Sequence, residues 1–426
     1  MTSGLLERLA KIDWRVIFIA ALALHLAALA VRSPSYTRTE NLRAGFTLAE
    51  KGYLGDPFSA PTGPTAHVSP AFPVLVAAAR SITSSEQRAV TMLSVLCAIV
   101  SACSAAMLLP LARRMRLPAA SGVLAALLWI APLFAWVVLS AEHETTFTTA
   151  AVLGTLLVVF TLLARSEIGV REGALLGAAT GTGAHFSPLI LPMVVLAMVA
   201  GVLSLRRVLR VRPAFAAAFV VALLVVIAPY TIRNREVMGS TFFIRDNLGL
   251  ELAVSNADNA HPTAESNGTP GAAMDTHPFI ARAAAERMRS MGEVAYNKSR
   301  MEEAMAWIRS NPGDFLRLTA QRAGYLVLPF SRRAYQRAFA ALLSLGTLIG
   351  LVLLWRSGGR TTAITVLGAI AGHQGIYLFV QHDVRYVFPM LWVQSLVAAS
   401  VAARLLGWTR EPSARPGTRP AEGAIR

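Results

Sequence analysis

Residues 213–230 read PAFAAAFVVALLVVIAPY, an uncharged apolar run closed by Arg212 on one side and by Arg233-Asn234-Arg235 on the other. A helix needs roughly 17–25 apolar residues to cross a bilayer, because each residue advances it about 1.5 Å through hydrocarbon roughly 30 Å thick. A soluble helix of this composition would have no polar face to turn to water. The stretch predicts a membrane-spanning helix.

The chain repeats the pattern about ten times. Apolar stretches run over Trp14–Val31, Ala89–Leu111, Ala119–Ser140, Thr145–Ala164, Glu172–His185, Pro188–Leu205, Pro213–Tyr230, Ala338–Trp355, Thr361–Val380 and Tyr386–Leu406. The fifth is short for a span, and Glu172–Leu205 could instead pack as a broken pair. The first carries a cleavage-like Ala28-Leu29-Ala30, yet its near-bilayer length and the many spans that follow favour an uncleaved anchor. Composition agrees: of 426 residues 54% are hydrophobic and only 15% charged, with a mean hydropathy of +0.52. Lipid must solvate much of that surface. The net charge of +16 sits in short arginine runs between apolar stretches, without the interleaved aromatics of a nucleic-acid face, so nucleic acid is not an expected partner. Cys97 and Cys103 fall six residues apart in one helix and face different ways, and no Cys/His spacing for a metal or cofactor occurs. The fold class is therefore all-α, a polytopic helical bundle.

Basic residues set its direction. Lys11/Arg15, Arg113-Arg114-Met115-Arg116, Arg165/Arg171, Arg206-Arg207, Arg356/Arg360 and Arg404/Arg410 fall on alternate sides of successive spans. The positive-inside rule then makes both termini cytoplasmic. Three segments lie outside: 32–88, the short 141–145, and a hydrophilic region over 231–337. The chain divides into a transmembrane module over 1–230, this outer region over 231–337, further transmembrane helices over 338–408, and a Pro/Gly/Arg-rich tail over 409–426 expected to be disordered. A turn-rich 256–271 precedes a helix expected from Pro278 to about Arg309, stopped by Asn311-Pro312-Gly313.

Polar residues at a membrane edge are costly and so draw attention. Four outer clusters stand out. Thr37-Arg38-Thr39-Glu40-Asn41 opens an amphipathic helix, and His67 follows within Gly63-Pro64-Thr65-Ala66-His67. Glu40 at the interface could be a base whose pKa desolvation raises; alternatively Thr37-x-x-Glu40 is only a capping box. Glu142-His143-Glu144 could supply a base or a sugar-hydroxyl ligand, or be solvated residues at a helix start. Arg233-Asn234-Arg235 precedes Arg245-Asp246-Asn247 and Asn256; His382-Asp383-Val384-Arg385-Tyr386 joins the last two spans. Their arginines could anchor to headgroups or clamp a lipid-borne phosphate with a guanidinium fork. His185 and His373 read either as polar groups in the membrane or as packed histidines on backbone carbonyls.

In their order and common side these motifs resemble the GT-C class of membrane glycosyltransferases. The likeness is to the branch that uses polyprenyl-phosphate sugars, with its protein mannosyltransferases and lipid A aminoarabinose transferases. It rests on Glu40…Gly52-Tyr53…Pro57, Gly63-Pro64-Thr65-Ala66-His67, Pro229-Tyr230-Thr231-Ile232-Arg233-Asn234, Arg245-Asp246-Asn247, Ala306-Trp307-Ile308…Asn311-Pro312 and Arg385-Tyr386…Pro389. It implies a bacterial inner-membrane enzyme that takes a sugar from a polyprenyl-phosphate carrier to a lipid, glycan or protein acceptor at the outer face, with no further cofactor. By resemblance Glu40 is the base, Arg385, Arg233 and Tyr386 contact the donor phosphate, and His67, Glu142, His143, Asn256 and His382 line the sugar or acceptor pocket. Relatives commonly carry an Asp-Glu pair where this chain has Thr39-Glu40, so either Glu40 takes over as base or the chain has lost transferase activity. The competing classes are a flippase for a lipid-linked sugar, which would show broken helices in matched halves, and a non-catalytic envelope protein on the same fold.

Overall fold

The computed structural model describes residues 12–31, 39–130, 143–205, 209–328 and 334–406. Every predicted apolar stretch carries a helix. These are α1 (Trp14–Val31), α4 (Glu86–Arg114), α5 (Ala119–Ile130), α6 (His143–Leu163), α7 (Val170–Ala184), α8 (Ile190–Ser204), α9 (Pro213–Met238), α15 (Ala334–Arg356), α16 (Arg360–Gln374) and α17 (Val384–Leu405). Six of them, α1, α4, α6, α9, α15 and α17, are long and apolar enough to cross a membrane. The others are shorter: α5 has 12 residues up to Ile130, and α7, α8 and α16 have 15 each. The second half of the third stretch, Glu142 and the 409–426 tail lie outside the described residues.

The short fifth and sixth helices form an up-and-down hairpin. Glu167-Ile168 (β1), just before α7, pairs in parallel with Arg210-Val211 (β2), just after α8. The chain therefore leaves and returns at one end of the bundle, while the turn after His185 reaches the other, where the His185 carbonyl accepts from Ala71 N–H. At 15 residues each arm spans about 22 Å. Glycine seats α7 against α9: a Cβ on Gly173 or Gly177 would lie 2.2 Å from the Phe215 or Phe219 carbonyl oxygen of α9. Small residues let membrane helices approach where no hydrophobic drive separates protein from lipid.

The core lies between α4, α5, α6, α8, α16 and α17. Trp129 stacks on Trp392 at 4.6 Å and 5°, and its indole N–H donates to Ser395 Oγ at 2.8 Å, the partner such a donor needs away from water. Around this core α1, α9 and α15 turn apolar surface outward; Ile19, Val225 and Leu342 are each more than 60% exposed. Lipid covers such a surface, and the chain is a multi-pass membrane protein.

The remaining helices gather at one end, the loop end. They are α2 (Glu40–Lys51), α3 (Ala71–Ser81), α10 (Leu248–Ser255), α11 (Ala264–Asn267), α12 (Arg282–Met291), α13 (Glu293–Ser310) and α14 (Pro312–Val327). The single helix expected over 278–309 is two: Gly292, at φ 82°, stands between α12 and α13 in a conformation L side chains rarely adopt. The predicted stop holds, with Asn311 ending α13 and Pro312 opening α14.

Candidate active site

The first loop is built before the site is. Asp56 accepts from Lys51 Nζ, Tyr53 Oη and Gly63 N–H, all within 2.8 Å. Thr65 N–H bonds to the Leu54 carbonyl. Arg233 at the end of α9 straps the same loop, donating to the Thr65 carbonyl at 2.9 Å and to the Leu54 carbonyl at 3.1 Å. From α13 the buried Glu293 accepts from Thr65 Oγ1 at 2.5 Å and from Ala66 N–H at 2.7 Å. Arg245 Nε donates to the His67 carbonyl at 2.7 Å. A segment with little core of its own is thus held from three sides, and what it presents is the fully buried ring of His67.

That ring faces the start of α2. His67 Nε2 approaches Glu40 Oε1 at 3.2 Å, within ion-pair distance but off the hydrogen-bond line. The capping reading of Glu40 is corrected here: Thr39 is the N-cap, accepting from Leu42 N–H, and Glu40 stands one position later with its carboxylate turned to His67. The other capping residue, Thr37, lies outside the described residues. His277, from the turn before α12, completes the group. Its ring lies 5.9 Å from that of His67, and Phe58 closes over both.

The electrostatics also correct an expectation. Burial pushes the Glu40 carboxyl up, but His67, His277 and Arg245 more than offset it and hold the pKa at about 2. Glu40 is ionised at neutral pH. His67 moves the other way: burial lowers it, and the Glu40 charge raises it above the ordinary value. His277 is lowered, chiefly by burial, and its Nδ1 accepts from Phe279 N–H at 3.0 Å. The neutral His277 ring therefore carries its proton on Nε2.

The surroundings extend the group into one charged pocket. Asn41 Nδ2 donates to Glu144, and Glu144 in turn feels Arg385, Arg245 and Glu40. Tyr377 and Tyr386 stack face to face at 4.7 Å within the fields of Arg385 and Glu251. Arg385 pairs with Asp383 at 3.3 Å and lies over the Tyr386 ring. Glu40 thus meets His67, Arg385 meets Tyr386, and Glu144 lies in the fields of both Glu40 and Arg385. Others do not join them. Asn256 donates to the Leu252 and Phe379 carbonyls and accepts from the buried Arg322, which makes it a tie between outer segments. His382 is buried against Tyr325, its pKa lowered by burial to about 4 with Asp383 opposing, and its backbone pairs with the 262–264 segment. Arg233 has its guanidinium on loop carbonyls. Of the Glu-His-Glu run, Glu142 lies outside the described residues, His143 opens α6, and Glu144 is the member in the pocket. His185 is a packed histidine, its Nδ1 on the Gly181 carbonyl. His373 is buried with neither ring nitrogen bonded.

Sequence reading missed His277 and Glu293 as site residues, and named Arg245 only among the arginines that could anchor to headgroups or clamp a phosphate. His277 precedes a proline in a turn-rich stretch and carries no local signal. Glu293 lies in a helix dense with charge, where burial alone singles it out.

The ligating atoms of Glu40, His67 and His277 all lie within 4.8 Å of one another, a donor set of the kind divalent cations take.

No protein-family model matches the chain, and no curated protein matches it in sequence. Among solved structures it matches the crystal structure of ArnT from Cupriavidus metallidurans bound to undecaprenyl phosphate, at 15% identity and a TM-score of 0.39, over 90% of this chain and 77% of that one. At that identity and score the likeness is to overall form only, and the site is read from its own residues.

Proposed function

We propose that this chain is a membrane glycosyltransferase that moves a sugar from a polyprenyl-phosphate carrier to a lipid, glycan or protein acceptor at the outer face of a bacterial inner membrane. One arrangement carries the reading: the Glu40 carboxylate lies beside His67 and in the field of Arg245, and its neighbour Glu144 lies in the fields of Arg245 and Arg385. Transfer needs that pairing. The acceptor hydroxyl gives its proton to the Glu40 carboxylate, and its oxygen bonds to the anomeric carbon. The bond from that carbon to the phosphate oxygen breaks, and the phosphate leaves with the electron pair toward Arg385 and Arg245. A carrier already in the bilayer needs no nucleotide site. The orientation rests on the positive-inside count, which sets both termini in the cytoplasm. Tyr377 and Tyr386 offer a stacked wall for the sugar ring.

The test is release of polyprenyl phosphate from a labelled lipid-linked sugar by the full chain in vesicles. Release with label on an acceptor, abolished in Glu40→Gln, supports the transferase. Movement of intact donor across the bilayer without release would establish a flippase instead, and neither would leave the non-catalytic reading.

A further inference from the structure

At the end of the bundle opposite Glu40 is a cavity of about 490 Å³ between the ends of α4, α6, α8, α15, α16 and α17. Its lining includes Arg114, Arg116, Arg360 and Arg404 and no acidic residue, and none of the four has a carboxylate partner among the described residues. Other arginines at this end do: Arg165 pairs with Glu172, and Arg210 and Arg212 pair with Glu167.

The floor of the cavity is the N-terminus of the 15-residue α16. Its N-cap is Gly359, which has no side chain to cap it. The backbone N–H groups of Arg360, Thr361 and Thr362 find no acceptor among the described residues. Thr361 and Thr362 turn their hydroxyls away, to the Ser204 and Met115 carbonyls, and so leave those N–H groups uncovered. Arg404 is steadied by one bond to Ser357 Oγ at 3.3 Å, yet its Nε is buried with no partner. Arg360 lies over Trp355 at 4.4 Å, fixed beside the same opening.

Membrane orientation alone explains arginines at this end, but it asks only for their number. It does not ask that four of them line one cavity at an uncapped helix start. We propose that this cavity binds a phosphate group. Uncapped N–H groups and a helix dipole favour an anion, and guanidinium forks match phosphate oxygens. The volume lies within the roughly 300–1,000 Å³ of small-ligand sites, more than an inorganic ion fills. The cavity also opens where spans end, at the depth of lipid phosphates. An anionic phospholipid headgroup is therefore the occupant it fits, and free phosphate is the other source of the same chemistry. The site is independent of the transfer reaction.

The experiment is native mass spectrometry of the full-length chain released from nanodiscs of phosphatidylglycerol or cardiolipin, with phosphatidylcholine as reference. Anionic lipid should stay bound, and Arg360→Gln/Arg404→Gln should reduce its retention at least tenfold, while Arg404→Lys keeps most of it. If the double variant is not monodisperse, Arg404→Gln alone should show a several-fold loss. Stabilisation by millimolar inorganic phosphate in detergent, lost in the same variants and without lipid retention, would assign the site to free phosphate. Equal retention of phosphatidylcholine, retention unmoved by the substitutions, or no binding of either probe overturns the proposal.

Discussion

The two ends of this bundle use arginine in opposite ways. At the loop end each guanidinium named above has protein partners: Arg233 on two carbonyls, Arg245 on the His67 carbonyl, Arg385 beside Asp383, Arg322 among Ser255, Asn256 and Phe379. Acids, histidines and arginines alternate there, and each shifts the others. At the opposite end four arginines line one cavity without an acid. Interleaved charge sets protonation states and suits chemistry; charge of one sign suits holding an anion. A substitution at the loop end should therefore change rates and pH profiles, where one at the other end changes what stays bound.

The comparison breaks first at Glu40. Glu40→Gln keeps the shape and removes the charge, so transfer should fall about 10²–10⁴-fold with folding unchanged. Turnover near the wild-type level in a monodisperse variant would strip the loop end of its chemistry. Next is Arg322, fully buried and held by burial to a pKa of about 10, still charged. Arg322→Met removes the donor to the Ser255 carbonyl and Asn256 Oδ1 and one of the two donors to the Phe379 carbonyl, and should cost about 2–3 kcal/mol in the outer region. Hydrogen exchange over α10 and α14 would register it. Unchanged protection would mean the arginine is not structural.

His67 sharpens the comparison through pH. Its charge is the chief force holding Glu40 at about 2 against burial. A depressed carboxyl contributes stability above its ordinary 4.5 and loses it as pH falls toward 2; a raised histidine contributes below its ordinary 6.5 and loses it as pH climbs through the folded value. The pair is thus most stabilising between about 4.5 and 6.5. In His67→Gln burial wins, Glu40 protonates at higher pH, and the acid limb of kcat/KM should move upward. A limb that stays in place assigns it to another group.

The helices were legible because lipid imposes length and apolarity on each stretch separately: the run over 213–230 needs no partner to be read. Glu40 and Arg385 drew attention because polar residues at an outer span edge are costly. The seating of the short α7 was harder, since it depends on Gly173 and Gly177 meeting α9, a contact between elements. His277 and Glu293 were out of reach for the same reason. Each matters through what folds against it from more than 200 residues away, as the Thr65–Glu293 bond does across 228 positions. Arg233 misled in the opposite direction, because its place at a span edge says nothing of the two carbonyls that occupy it.

The smallest expected effect concerns Glu293, the buried carboxyl that seats the His67 loop. Burial raises its pKa above the ordinary 4.5, with Thr65, His67 and Ala66 opposing. A raised carboxyl contributes stability that is complete below 4.5 and lost as pH rises through the folded value, so at pH 8 the ionised form is a burden the fold carries. Gln fits the same space: its oxygen accepts from Ala66 N–H, and its amide donates to Thr65 Oγ1 once the hydroxyl turns. Glu293→Gln should therefore keep turnover within about threefold and raise Tm by about 1–2 °C at pH 8, a gain that disappears below pH 4.5. Glu293→Ala removes both acceptors and should cost about tenfold in turnover as His67 loses its seat. If Gln were as damaging as Ala, the charge itself would matter at Glu293, and the loop end would hold one more working carboxylate than Glu40 and Glu144.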